Sequence, residues 1–150
     1  MDDIQLSEHF LLSEMARSQT ALRQGIDNTP DADSLENLRV LCNTLLEPVR
    51  TLLGVPLHID SGYRSPILNS AVGGAFDSAH LEGRAADVIP IGMDLHVAFL
   101  AIEKSPLSFD QLIIECNAWL HISIPPAGAV PRHELLVATG TPGHWTYEAA

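Results

Sequence analysis

The chain has 150 residues, 46% of them hydrophobic, with 8 Lys plus Arg against 19 Asp plus Glu and a formal charge of −11. This matches one globular domain with one core, and the acidic balance leaves no basic face for phosphate binding, which argues against nucleic acid and anionic membranes as partners. No apolar run approaches the ~20 residues of a membrane span, and Met1-Asp2-Asp3 is acidic where a secretory signal is basic. The expectation is a soluble monomer made in the cytoplasm, with no signal peptide and no membrane insertion.

In chain order, a short helix is expected around Ser13 to Arg23, then a turn from Gly25 to Pro30. From Asp33 to Leu53, Leu35, Leu38, Leu41, Cys42, Leu45, Val49, Leu52 and Leu53 recur at three- and four-residue steps, the stripe of an amphipathic helix. Gly54 and Pro56 close it, and Pro48 removes a backbone donor inside it, so a kink or break is expected there. The period then changes to two. Leu57 and Ile59 alternate with His58 and Asp60 as a half-buried strand running into Ser61-Gly62-Tyr63-Arg64. The stretch to Gly74 reads as loop with one helical turn, Ala85 to Ile89 as a strand stopped by Pro90, and Asp94 as the cap of a helix carrying Leu95, Ala98, Phe99 and Ile102. Leu112 to Glu115 and Trp119 to Ile124 form two strands joined at Cys116-Asn117, Arg132 to Thr139 forms another, and Thr141-Pro142-Gly143 begins a tail.

Helices followed by a mostly antiparallel sheet define an α+β fold. One domain is expected over 1–150, with its core at about 7–139 and a tail at 140–150. Cys42 and Cys116 lie far apart in no Cys-x-x-Cys spacing, which reads as two reduced, buried thiols.

Of seven histidines, His80 and His121 have surroundings that suggest a metal. A Gly-containing loop separates His80 from the Asp87 carboxylate and can fold back, and His121 lies on the late strand with Trp119 and Ser123 on its side. Two imidazoles and a carboxylate suit zinc, and three protein ligands leave a fourth position open, as in hydrolytic sites. Spacing alone is a weak signal, since such residues are more often ordinary hydrogen-bonded ones. The acidic residues Asp27, Asp31, Asp33 and Glu36 read as turn and helix-start chemistry. His9, His58, His96 and His133 read as solvated or supporting residues, and His144 as a tail aromatic able to close over a groove.

Ser61-Gly62-Tyr63-Arg64-Ser65-Pro66, then Asn69 and Val72-Gly73-Gly74, then Ser78-x-His80-x-x-Gly83-x-x-x-Asp87, then Phe109-Asp110-Gln111-Leu112-Ile113-x-Glu115 and Trp119-x-His121-x-Ser123 together resemble the M15 family of zinc peptidases. The likeness runs from about Ser7 to about Thr139 and is nearest to the family's short, phage-associated carboxypeptidase-like branch. It implies a small antiparallel sheet with helices packed on one face and a zinc groove across the other. It further implies one zinc held by His80, Asp87 and His121, and a peptidoglycan stem peptide as substrate, cut by D-Ala-D-Ala carboxypeptidase or endolysin-type endopeptidase activity. Arg64 is then a substrate-binding and catalytic residue, since a guanidinium can pair with a carboxylate or hold a developing oxyanion.

Ser78 either bonds substrate or caps its loop, and Trp119 either walls the groove or joins the core. Several relatives place a glutamate three residues before the last ligand histidine, where this chain has Ala118. The catalytic base falls instead to Glu115, which a hairpin over 112–124 brings beside the metal, with Glu82 as the other candidate. Ala118 also leaves room for a zinc-stabilised module that binds a peptide or partner without catalysis, and for a virion component. An enzyme made without an export signal reaches peptidoglycan through lysis, a holin or a particle.

Overall fold

The computed structural model describes residues 3–150. Where one helix is expected near the start, two short ones form, α1 (Leu12–Ala16) and α2 (Gln19–Gln24). The break falls at Arg17, which is extended, and Ser18 restarts the chain by accepting a hydrogen bond from the Ala21 amide. Ser at this cap position satisfies a donor that a continuous helix would have bonded internally.

The long amphipathic segment forms α3 (Ala32–Leu41), a π-helical turn (Cys42–Leu46) and α4 (Glu47–Leu53) without leaving the helical path. Pro48 explains the device. It lacks an amide proton, and the wider turn just before it lets the Glu47 amide reach back to the Cys42 carbonyl. The extra residue in that turn also rotates the inward face. Leu46, outside the expected row, is fully buried and Leu52, within it, is 43% exposed, a shift at two positions, while Val49 and Leu53 stay buried. A strict 3.6-residue count cannot anticipate that shift. Leu38, Leu41, Leu45 and Leu46 are fully buried, each worth about 1.5–3 kcal/mol of apolar burial.

Six strands make one sheet: β1 (Leu57–Ser61), β2 (Ala85–Pro90), β3 (Gln111–Glu115), β4 (Trp119–Ser123), β5 (Glu134–Thr141) and β6 (His144–Ala149). Their order is β1-β2-β4-β3-β5-β6, antiparallel throughout except where β5 lies parallel to β3. Between them come α5 (Pro66–Ala71), a 3-10 turn (Ala79–Glu82) and α6 (Leu95–Glu103). The fold is α+β. Ala86, Val88, Leu112, Ile114, Leu120 and Ile122 turn one face of the sheet toward the helices and join Leu38, Leu45, Phe99 and Ile102 in the core. The alternate residues of the same strands, among them Asp87, Ile113, Glu115 and His121, occupy the opposite face.

Two expectations are corrected. Residues 140–150 are not a tail beyond the sheet, since β6 pairs along β5 from Thr141↔His144 to Leu136↔Ala149. Trp145 and Tyr147 alternate there with His144, Thr146 and Glu148 after a Thr-Pro-Gly turn, a period-two signal that a turn at the chain's end obscures. Cys42 is buried and its thiol is pushed up to about 12, first by burial and then by the Glu47 and Glu14 charges. Cys116 is exposed, because it sits at φ 52° in the β3–β4 turn beside Asn117 at the same angle.

Glu47, which follows the π-helical turn, anchors the first residues. Its Oε1 accepts from the Ser7 hydroxyl at 2.7 Å and from the His9 amide at 2.6 Å, and its Oε2 meets His9 Nδ1 at 2.7 Å. Burial works against the Glu47 carboxylate, but the hydrogen bonds from His9 and Ser7 outweigh it and hold its carboxyl below the usual range. A carboxyl lowered on folding stabilises above the unfolded value of about 4.3 and loses that contribution as pH falls through the folded value. Glu47→Gln should therefore cost about 2 kcal/mol at neutral pH, the scale of a charge-assisted hydrogen bond. The deficit should shrink in thermal melts as the pH is lowered below about 4.3 and through the folded value of Glu47.

Candidate active site

The site is assembled where the Ser61–Pro66 segment passes between α1 and the 3-10 turn. Gly62 is required there, because a Cβ at that position would run into the Met15 carbonyl oxygen. The Tyr63 amide donates to that same carbonyl at 2.7 Å, and the Arg64 amide donates to the His80 carbonyl at 3.0 Å. With the segment fixed, His80 Nδ1 donates to the Gly62 carbonyl oxygen at 2.6 Å, which orients the ring and leaves Nε2 facing Asp87 Oδ1 at 3.2 Å. Ser78 caps the 3-10 turn by accepting from the His80 amide at 3.2 Å.

Asp87 on β2 and His121 on β4 are direct cross-strand partners. His121 Nδ1 lies 3.1 Å from Asp87 Oδ1 and 3.5 Å from Glu115 Oε1. One nitrogen or oxygen from each of His80, Asp87 and His121 falls within 4.8 Å of the others, and all three residues are buried. Glu115 pairs with Trp119 across the β3–β4 hairpin, and the Trp119 indole N–H donates to Glu115 Oε1 at 3.3 Å. Ala118 lies in the connecting turn, with its amide donating to the Glu115 carbonyl. Arg64 reaches in from the other side. Its Nε donates to Ser61 Oγ, its Nη1 to Asn69 Oδ1 and its Nη2 to Asp87 Oδ2.

Electrostatics distinguish these groups. Burial pushes His80 below its ordinary value against the opposing pull of Asp87, which keeps the imidazole neutral with a lone pair to offer. Burial also opposes ionisation of Asp87, but His80 and the His121 hydrogen bond overcome it and hold the carboxyl low. Burial lowers His121 as well, and there the hydrogen bond and charge of Asp87, with the charge of Glu115, prevail and raise it. Burial, then the Asp87 charge, raises Glu115. Two carboxylates converge on one imidazole nitrogen, a set of donor atoms that a divalent cation could take up.

These side chains line one cavity of about 570 Å³ on the sheet face away from the helices, with Arg64, Ser78, His80, Asp87, Glu115, Trp119 and His121 all on its wall. Glu82 is not among its lining residues, and its carboxylate pairs with Arg84 at 3.3 Å. His144 is exposed, and the aromatic residues of β6 that line the cavity are Trp145 and Tyr147. Neither was singled out by sequence; their alternation after Pro142-Gly143 is the signal that locates them. Elsewhere His9 is held by Glu47, His96 Nε2 meets Asn117 Oδ1, and His133 stacks on Phe109. Asp31 caps α3 through the Ser34 amide, and Asp27 closes a turn onto the Thr29 amide.

A family model described as Peptidase M15 matches residues 8–123. The chain belongs to the Peptidase M15 family. That match carries the buried His80, Asp87 and His121 together with Arg64 and Glu115, whereas β5 and β6 of this M15 chain lie beyond it. The family is zinc-dependent in general, and peptidase activity follows from membership at that level. Among curated proteins, none matches the chain. No helix among the described residues is long and apolar enough to cross a membrane.

Proposed function

We propose that this M15 chain is a zinc-dependent peptidase that hydrolyses amide bonds of peptidoglycan stem peptides. The observation that carries the reading is the buried His80, Asp87 and His121 set with Glu115 3.5 Å from His121 in the same cavity. The donor set fits zinc: two imidazoles, one fixed by the Gly62 carbonyl, and one carboxylate fixed by Arg64. When bound, zinc supplies Lewis acidity, which makes water nucleophilic at neutral pH and polarises an amide carbonyl.

The chain's own residues do the rest. Glu115 accepts a proton from the attacking water and returns it to the leaving amine, and its burial raises its affinity for a proton. The Trp119 indole holds Oε1 of that carboxylate, while Oε2 has no protein partner among the described residues. Arg64 carries five N–H donors and uses three of them on Ser61, Asn69 and Asp87, so two remain for a substrate oxygen. Ser78 and Trp119 line the same groove. Delivery to the cell wall through lysis, a holin or a particle, and the likeness to the phage-associated branch, belong to this reading.

The deciding experiment is release of amino acids or peptides from purified sacculi by zinc-loaded protein, set beside a chelated control. Zinc-dependent release is expected; a zinc-loaded protein that releases nothing from amidated or non-amidated stems would overturn the proposal. Arg64→Lys keeps the charge and loses the fork that serves three acceptors at once. It should fold normally and lose roughly 100-fold in rate, the scale of one oxyanion donor. Equal turnover by the Lys variant would remove Arg64 from the reaction.

A further inference from the structure

We infer that Tyr147 is a further catalytic residue, whose phenol hydroxyl donates a hydrogen bond to the scissile amide oxygen as that oxygen gains negative charge. The inference rests on the peptidase reading above and adds to it a donor from β6, beyond the residues 8–123 that the family model matches.

β6 lies four strand spacings from β2, about 19 Å on a flat sheet. A chain of contacts folds that edge back toward Asp87. Arg64 Nη2 donates to Asp87 Oδ2 at 3.3 Å, and Gly74 packs so closely beside Arg64 that a Cβ on it would stand 2.9 Å from Nη1. The preceding residue, Gly73, accepts at its carbonyl from the Gly143 amide at 3.2 Å, which ties the β5–β6 turn to the loop after α5. Gly73 has φ +72°, and a Cβ there would come within 2.8 Å of the Gly143 nitrogen, so only glycine allows the approach. Tyr147 thereby lines the same cavity as Asp87 and Glu115.

Register aims the phenol. Tyr147 is opposite Ala138, Ala138 is opposite Glu115, and Glu115 is opposite Trp119, one row across four strands on the groove face. Ala138 is fully buried and carries only a methyl group, so no side chain on β5 stands between the phenol and the Glu115 carboxylate. On the other side of that carboxylate the Trp119 indole already holds Oε1. The Tyr147 hydroxyl has no hydrogen-bond partner among the described residues, and the residue is 47% exposed, so its donor is offered to the groove. Burial, then the Glu115 and Asp87 charges, raises the phenol, which therefore keeps its proton at neutral pH. An amide served by Glu115 has to lie within a hydrogen bond or one water of its carboxylate, and so beside the phenol of the same row. Water adds to the carbonyl carbon, its proton passes to Glu115, and the C=O π electrons move onto oxygen. The C=O bond then re-forms as the C–N bond breaks, its electron pair leaving with nitrogen, which takes the proton from Glu115. Tyr147 keeps its own proton throughout and stabilises the charged oxygen.

The test is Tyr147→Phe, which removes one hydroxyl from a half-exposed ring and leaves the strand intact. On an N-acetylated stem peptide, kcat should fall roughly 100-fold, the scale of one oxyanion donor, with KM within about threefold of the parent. A phosphinate analogue, which carries a charged tetrahedral centre in place of the scissile amide, gives a readout without turnover. Its calorimetric affinity for zinc-loaded protein should drop by a similar factor in the variant. Binding of the uncut peptide to zinc-loaded Glu115→Gln protein should stay within about threefold when Tyr147→Phe is added. Glu148→Gln, exposed on the same strand with the opposite parity, should match the parent in every measurement. Unchanged kcat, a loss confined to KM, or a loss as large for the uncut peptide as for the phosphinate would overturn the inference. Equal phosphinate binding by variant and parent, or none by the parent, would overturn it too. A parent that binds the phosphinate more tightly than the variant yet cleaves no peptide supports the donor and removes the peptidase reading instead.

Discussion

Glu115→Gln is expected to keep the fold and the metal affinity of the parent while hydrolysis falls by about 100- to 10,000-fold, the usual contribution of general acid–base catalysis. Glutamine occupies nearly the same volume, and its side-chain oxygen can still accept from the Trp119 indole. What it lacks is a group that takes up a proton. Glu115 sits outside the three residues whose donor atoms fall within 4.8 Å of one another, so zinc stoichiometry should be unchanged in elemental analysis. Glu82→Gln serves as the contrast. Its carboxylate faces Arg84 and lies outside the cavity, so turnover should match the parent. Full activity in the Glu115 variant would remove the residue from catalysis, and full activity with a loss in the Glu82 variant would reverse the two roles.

The sequence made the candidate metal set legible because its three residues lie in local patterns that survive folding. His80 and Asp87 are seven positions apart, joined through Gly83 and Arg84, and His121 lies on a strand whose period-two alternation fixes its face. Glu115 was legible only with the hairpin, since it lies six positions before His121 and the turn between them decides whether they meet. The helical rod shows the opposite case. Pro48 announced a disturbance, but a π-helical turn and a sharp kink leave the same mark in the sequence. Only packing distinguishes them, through Leu46 turning inward and Leu52 outward. The last strand was missed for a different reason. Its residues are mostly exposed, so the apolar contrast that marks a half-buried strand is carried by Trp145 and Tyr147 alone. Yet these two face the groove, and the contact between Gly73 and Gly143 links positions 70 residues apart, which no local pattern reveals.

His121→Ala should abolish stoichiometric zinc binding and, with it, the thermal stabilisation that zinc gives the parent. The side chain contributes one of three donors, and its loss leaves His80 and Asp87 as a two-ligand remnant on the loop and on β2. A ligand bound only by the folded state stabilises by about 4 kcal/mol at a thousandfold excess over its dissociation constant. For a domain of this size that corresponds to roughly 8–16 °C in melting temperature. The parent should therefore show a rise of that order when zinc is added to chelated protein, and His121→Ala should show none. The variant need not be unfolded. His121 lies on the groove face and outside the apolar cluster beneath the sheet, so removing it opens space toward the cavity and leaves the core untouched. Melts without zinc separate the two effects. A variant that matches the chelated parent and ignores zinc has lost a ligand, whereas one that melts far below the chelated parent has lost structure. A variant still raised by zinc as much as the parent would place the metal at other residues. The Glu8, His9 and Glu47 group, of which Glu47 is half-buried, is then the set to replace next, since it also brings three donor atoms within 4.8 Å.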